Sequence, residues 1–249
     1  MAGHNKWSKI KHRKAVVDKR RGKAWTMCSR AIIVAAKTGG GDPNFNFGLR
    51  AAMDDARYYN MPSDNVERAI KKGLGGGAGE DYEVMRYEGY GAGGVAVVID
   101  AFTNNRARTA GDVRLLLGKH GGKLGTAGCV SHQFEQKGRV EVLADRAAGD
   151  RLMEVALEIG ADDVRGPSSS DENADACIWE VICPPNIFAQ VRAALEKAGH
   201  TLGDSSIEML PLVSTNVGGS DAESLAEMIE ALEENDDIKR VYSNAIWPD

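Results

Sequence analysis

The sequence predicts an α+β fold, with a basic helical module at its N-terminal end and two small sheet-and-helix units after it. Three observations carry that prediction. Apolar residues recur at helical spacing up to about residue 73, residues 73–80 read GLGGGAGE, and beyond them short β-type runs alternate with helical stretches. Strands joined by hairpin-type turns suit α+β sandwiches better than a doubly wound parallel sheet.

The helical module reads as three helices. From about Lys14, the residues Trp25, Cys28, Ile32 and Ala35 fall on one helical stripe, which Thr38 and Gly39-Gly40-Gly41 bring to an end. Asp42-Pro43 restarts the chain, and Leu49, Ala52, Met53, Ala56 and Tyr59 mark a second amphipathic helix that Pro62 breaks. Ser63 is expected to cap a third, short helix carrying Val66, Ala69 and Ile70, with Gly73 as its stop.

After the glycine-rich linker, Val84 to Tyr87 and Val95 to Ile99 predict a hairpin around a glycine turn. Asn104 or Asn105 caps a helix from about Arg106 to His120, and Cys129 to Phe134 is expected to form a strand. A second series follows. Arg139 to Leu143 predicts a strand, Ala147 to Ile159 a helix, Asp163 to Arg165 a short strand, 166–173 a polar loop and Ala176 to Ile182 a strand. Pro184-Pro185 opens a helix that stops at Gly199. Ile207 to Val213 is strand-like, Ser220 is expected to cap a helix to about Glu234, and Ile238 to Tyr242 is the last strand.

Composition narrows the class. At 249 residues, 43% hydrophobic and 27% charged, the chain has the make-up of a globular protein of one to three domains. Its apolar runs fall well short of the roughly 18 residues that span a bilayer, so no membrane partner is expected. The opening lacks the apolar core of a secretory signal, and Trp7, Trp25 and Ile32 look like packing residues rather than part of a removed transit peptide. Cys28, Cys129, Cys177 and Cys183 form no C-x-x-C pair, which fits free thiols in a reducing cytoplasm, the expected location.

The net charge of −5 conceals a polarised chain. Residues 1–75 hold 16 Lys/Arg against 6 Asp/Glu, while residues 140–249 hold 7 against 23, so one end suits a polyanion and the other repels it. The strongest signal is the opening, where ten Lys/Arg stand against Asp18 alone in residues 1–30. Affinity for nucleic acid rests largely on Lys and Arg neutralising phosphates. Lys6, Lys9, Lys11, Arg13, Lys14, Lys19, Arg20, Arg21, Lys23 and Arg30 are therefore the candidates, and Trp7 among them can stack on an exposed base. So charged an arm repels itself, and its start is expected to be mobile until a partner arrives. Phosphate contacts carry no sequence information, so DNA and RNA stay open as partners.

Other motifs weigh less. Arg106, Arg108, Arg114, Lys119 and Lys123 form a second basic set, which an ordinary solvated helix face also explains. Residues 89–94, GYGAGG, match G-x-G-x-x-G formally, but a strand rather than a helix follows, so a turn is expected in place of a dinucleotide site. Cys129 and His132 have C-x-x-H spacing without a second pair, so no metal is expected. The acids Glu223, Glu227, Glu230, Glu233, Glu234, Asp236 and Asp237 suit a solvated face or contact with a basic protein. No motif signals a nucleophile–base set or the clustered carboxylates of a metal nuclease, so no catalytic residue is named and a non-enzymatic protein is expected.

Three long stretches carry a family resemblance: AGHNKWSKIKHRKAVVDKRRGKAWT, GGDPNFNFGLRAAMDDARYYNMPSDNVERAIKKGLG and YEGYGAGGVAVVIDAFTNNRARTAGDVRLLLGKHGGKLG. Running nearly unbroken from Ala2 to Gly125, they resemble the YebC/PmpR family. The C-terminal half matches more by element order and by its closing LEENDDI. The resemblance implies a three-helix domain at 1–75 and two small ferredoxin-like α+β domains, one inserted in the other. They are a discontinuous domain of 80–135 plus 205–249 and an inserted domain of 136–204. It also implies a cytoplasmic regulator of gene expression that binds DNA, or a translation factor contacting ribosomal RNA as some relatives do. No cofactor and no small-molecule substrate are implied, and the oligomeric state stays open. Position by position, the family's basic opening falls on Lys6, Trp7, Lys9, Lys11, His12, Arg13 and Lys14 and continues through Lys19, Arg20, Arg21 and Lys23. Asn104 to Thr109, with Arg106 and Arg108, matches a second signature, and Lys119 to Gly122 a third. The chain departs from the family at Gly128 to Gln133 and at Asn46-Phe47.

Overall fold

The computed structural model describes residues 17–76, 81–144, 149–166 and 177–248. Helix α1 (Val17–Gly39) is the long axis of a three-helix unit, with α2 (Phe47–Tyr58) and α3 (Ser63–Gly73) packed on it. The expected stripe supplies Cys28 and Ile32 to the core, where Ile33, Ala36, Leu49, Ala52, Ala56 and Ala69 meet them. The Asn46 side chain caps α2 by accepting from the Leu49 N–H at 3.0 Å, and it donates back to the Ala35 and Gly40 carbonyls. At the start of α3 the expectation needs correction. Pro62 holds the cap position, its fixed φ of −58° directing the chain into the helix, and Ser63 is the first helical residue with no side-chain cap. Gly73 lets α3 approach α1 closely, since a Cβ there would lie 2.5 Å from the Ile33 carbonyl oxygen.

Strands β1 (Glu83–Tyr90) and β2 (Ala96–Thr103) form the expected antiparallel hairpin. The GYGAGG segment is its turn, with Gly93 at φ 69° and Gly94 at φ 75°, in the left-handed region that favours glycine. Helix α4 (Arg106–Lys119), capped by Asn105, leads to the short β3 (Lys123–Leu124) beside β1. The expected strand at Cys129 to Phe134 does not form. Instead the Glu88 carboxylate accepts from the Gly128, Val130 and Ser131 N–H groups, each at 2.9 Å, and folds this segment into a loop ending in a 3₁₀ turn at Ser131–Gln133. Burial pushes the Glu88 carboxyl up, but these three hydrogen bonds outweigh it and hold it below its ordinary value.

A second sheet then intervenes. Its elements are β4 (Phe134–Ala144), α5 (Gly149–Glu158), β5 (Asp163–Arg165), β6 (Cys177–Cys183), α6 (Phe188–Lys197) and β7 (Thr201–Pro211). This β-α-β-β-α-β series pairs in the order β5-β6-β4-β7, with every neighbour antiparallel. Its edges reach Phe134 and Pro211, beyond the 136–204 expected. Leu152, Ala156, Val191 and Leu195 of the helices pack on Val140, Val142, Val181 and Cys183 of the strands.

The chain then returns to the first sheet. A short β8 (Thr215–Asn216) precedes α7 (Gly219–Glu234), after which β9 (Ile238–Ser243) pairs antiparallel with β2, giving the order β3-β1-β2-β9. Finally β10 (Ala245–Ile246) pairs parallel with β8. Gly218 stands at the cap of α7, so Ser220 lies within its first turn and does not cap it. Strand β2 is covered on both faces. Val97 and Ile99 meet α4 and α7 through Val113, Leu117, Leu225 and Met228, while Ala96 and Val98 meet Val130, Phe134 and Met209 from the second sheet's side.

An ion cluster joins the two sheets beside that apolar contact. Arg139 on β4 donates to Glu208 at 3.2 Å, Glu141 at 2.6 Å and Glu180 at 3.1 Å. Arg240 on β9 reaches across to the same Glu208 and to Ser206 Oγ at 2.8 Å. Burial drives the Glu208 carboxyl up, but the guanidiniums of Arg240 and Arg139 and the Ser206 hydroxyl pull it down to about 2, against an ordinary 4.5. A carboxyl held low in the folded state lends stability that is complete above about pH 4.5 and lost as the pH falls toward 2. Thermal unfolding followed from pH 7 to pH 2 should show that decline. Glu208→Gln should flatten it and remove on the order of 3 kcal/mol at pH 7. An equally steep acid decline in E208Q would refute the assignment to this carboxyl.

Candidate nucleic-acid interface

Helix α1 carries the basic segment into the fold, and its anchorage shows which of its described cations are engaged with the rest of the chain. The last carbonyls of a helix lack intrahelical partners and carry partial negative charge. Helix α7 has no basic residue in its own last turn. Instead the Lys23 ammonium donates to the Glu233 and Asn235 carbonyls, and Arg30 donates to the Asp236 carbonyl and to the Phe102 carbonyl at 3.2 Å. Burial lowers the Lys23 pKa, and the charges of Glu233 and Asp236 partly oppose it.

Asp237, just beyond α7, is the hub of this junction. Its Oδ1 receives Arg30 at 3.1 Å, while its Oδ2 receives Arg108 at 2.7 Å and the Thr109 hydroxyl at 2.7 Å. Thr109 in turn lies 2.7 Å from the Thr103 hydroxyl, both side chains being fully buried. Burial raises the Asp237 pKa, yet the hydrogen bonds from Arg108 and Thr109 and the two guanidinium charges leave it below its ordinary value. The Arg30 guanidinium also sits 4.8 Å from the centre of the Tyr82 ring.

The sequence candidates therefore divide. Lys6, Trp7, Lys9, Lys11, His12, Arg13 and Lys14 lie outside the described residues, as does the expected mobility of the arm. Lys19, Arg20 and Arg21 belong to the N-terminal end of α1. Lys23 and Arg30 are turned inward onto α7 and Asp237. Arg106 forms a two-pronged pair with Glu83 on β1, and Arg108 is held by Asp237 and by Asn104 at 2.9 Å. Part of the acidic C-terminal cluster thus meets basic side chains of its own chain, a contact that the bare charge count left unassigned.

The sequence did not single out a groove of about 420 Å³ between α1 and α3. Ile33, Met61 and Ala69 give it an apolar floor, and Trp25 lines one side. Thr26, Ser29 and Asn65 supply polar groups, Arg68 and Lys72 two cations, and none of its lining residues is acidic. The Trp25 indole N–H donates to the Tyr59 carbonyl at 2.9 Å, which fixes the ring. The only prior hint was the i, i+4 spacing of Arg68 and Lys72 on a helix otherwise read for its apolar face. Among the described residues no three His, Cys, Asp or Glu side chains are grouped to hold a metal ion, and no helix is long and apolar enough to cross a membrane.

Residues 5–76 match the TACO1/YebC protein N-terminal domain, and residues 82–245 match the TACO1/YebC second and third domain. The chain belongs to the TACO1/YebC family. A relative from Geobacter sulfurreducens named "probable transcriptional regulatory protein" is 48% identical over 98% of this chain and 95% of its own. One of the same description from Cupriavidus taiwanensis is 47% identical over the full length of both. The crystal structure of a conserved hypothetical protein from Aquifex aeolicus superimposes with a TM-score of 0.83 at 41% identity, covering 96% of each chain. The family assignment and the α+β fold read from the sequence thus hold along the whole chain.

The Asp237 hub sets an expectation for this family member. Asp237→Ala strands Arg30 and Arg108 beside a missing carboxylate and should cost about 3 kcal/mol in urea-induced unfolding. Amide exchange in α1 around Lys23 to Arg30 should quicken. Unchanged stability and unchanged exchange would contradict the anchoring role.

Proposed function

We propose that this protein is a non-enzymatic regulator of gene expression, a cytoplasmic DNA-binding transcriptional regulator that grips nucleic acid through its basic N-terminal segment. The observation that carries the proposal is the charge density of residues 1–30, ten Lys/Arg against one Asp, on a chain whose other end is acidic. The descriptions of the Geobacter and Cupriavidus relatives as probable transcriptional regulatory proteins support it. The anchorage of α1 sharpens the list of contacts. Lys6, Trp7, Lys9, Lys11, His12, Arg13, Lys14, Lys19, Arg20 and Arg21 are the phosphate- and base-facing set. We leave Lys23, Arg106 and Arg108 out of that set, since Lys23 donates to the carbonyls at the end of α7 and the two arginines pair with Glu83 and Asp237. We further take the domains to follow the sheets, with the inserted domain spanning 134–211. No cofactor or small-molecule substrate enters this reading.

A second reading, a ribosome-associated translation factor using the same arm on ribosomal RNA, is favoured by one observation. The exposed residues of α3 mix Asp64 and Glu67 with Arg68 and Lys71, unlike the base-reading helix of a helix-turn-helix.

Replacing Lys9, Lys11, Arg13 and Lys14 together by Ala should weaken binding to a short DNA duplex and reduce the slope of log K against log salt by about 0.9 per lost phosphate contact. Arg106→Ala with Arg108→Ala should leave that slope unchanged. An unaltered slope in the fourfold variant would end the proposal for the arm. Crosslinking in cells, with sequencing of both bound DNA and bound RNA, separates the two readings. Recovery of promoter DNA supports the first, and recovery of ribosomal RNA alone supports the second.

A further inference from the structure

The groove between α1 and α3 has a build that an outward-facing phosphate surface does not require. A surface that only neutralises phosphates needs cations on a convex face, whereas this groove is concave, with an apolar floor and a fixed indole. Its volume of about 420 Å³ falls within the roughly 300–1,000 Å³ of small-ligand sites. The two cations stand on one face of α3, and the Arg68 guanidinium is steadied by its own helix through the Asp64 carbonyl at 3.2 Å and the Asn65 side chain. Gly22, another lining residue, directly follows Lys19, Arg20 and Arg21 along α1, so the groove adjoins the basic segment in sequence.

We propose that this groove is a subsite for one unpaired nucleotide of a bound strand. The base lies against Trp25, the side chains of Thr26, Ser29 and Asn65 offer hydrogen bonds to its edge, and the adjoining phosphate meets Arg68 and Lys72. Stacking on an aromatic ring accepts any base, and an unpaired base is the form that leaves its π-face open. Two arginine- and lysine-derived charges and no carboxylate in the lining suit a phosphodiester and disfavour an acid-lined or neutral partner. The proposal rests on the nucleic-acid reading above and names the part of the polyanion that is held. An RNA loop and a melted DNA segment both present this chemistry.

The test uses the full-length protein and three probes of equal length, a single-stranded RNA, a single-stranded DNA and a DNA duplex, each labelled for anisotropy. Ser29→Leu adds bulk to the groove at no change in charge and with a good helix former. It should weaken single-strand binding about tenfold while leaving duplex binding and its salt slope as in the parent. The ratio of the RNA and DNA arms identifies the source of the nucleotide. A 4-thiouridine-substituted strand bound to the unmodified protein should photocrosslink within 22–33 or 61–72, a readout independent of whether S29L folds. Equal single-strand affinity in a folded S29L, or crosslinks confined to other segments, overturns the subsite while leaving the arm hypothesis intact. Failure of the unmodified protein to bind any of the three probes overturns the nucleic-acid reading, and the subsite with it.

Discussion

A helix ends in carbonyls that its own backbone cannot satisfy, and at the end of α7 they are met from the opposite end of the chain. Lys23 and Arg30, from the most basic part of the sequence, donate to the carbonyls of Glu233, Asn235 and Asp236, and Asp237 completes the contact with a carboxylate. With this junction, the three-helix unit has a fixed base on the first sheet. A partly buried ammonium bears a desolvation cost, which aligned carbonyls and nearby carboxylates offset. The polarity of the sequence is therefore a structural device as well as a surface property. The acidic end of the chain holds the root of the basic end.

The same pairing logic joins the two sheets. Strand β2 is apolar almost throughout because both of its faces are covered, one by α4 and α7 and the other by Phe134, Val130 and Met209. Beside that dry contact, Glu208 of one sheet holds Arg240 of the other, and Arg139 gathers the neighbouring carboxylates. Apolar burial supplies attraction without direction, and the ion cluster supplies a fixed relative placement. The glycine turn between β1 and β2 serves as a turn, as the strand following it requires.

What could be read in the sequence was whatever depends on neighbours a few residues away. The stripe of Cys28 and Ile32, the hairpin about GYGAGG, the Asn105 cap and the apolar run of β2 all follow from local spacing, and each appears in the structure. What could not be read depends on a distant partner. Cys129 to Phe134 carry enough β-type residues to suggest a strand, but the Glu88 carboxylate about forty residues earlier takes the N–H groups of Gly128, Val130 and Ser131. Ser63 and Ser220 look like caps, yet Pro62 and Gly218 hold those positions. Among the site residues, Lys6 to Arg21 are marked by charge alone, whereas Lys23, Arg106 and Arg108 carry the same charge and are paired with carboxylates or carbonyls of their own chain. Charge density announces a polyanion-binding end, but the partner of each individual cation is a tertiary fact. The groove was hidden for the same reason, since Trp25, Ser29, Asn65 and Arg68 come together only when α1 and α3 pack.

The insertion of β4 to β7 between β3 and α7 has a consequence for synthesis. The first sheet needs β9 as the edge beside β2, and β9 is made more than a hundred residues after β2. The second sheet needs only residues 134–211, so it can close before β9 is made. Until β9 arrives, the apolar edge of β2 has no strand to pair with, and until α7 arrives Val97 and Ile99 have lost most of their cover. The nascent chain therefore carries an exposed, aggregation-prone strand for the time it takes to add more than a hundred residues, and the completed inner sheet, already presenting Phe134 and Met209, is the surface at hand to shield it.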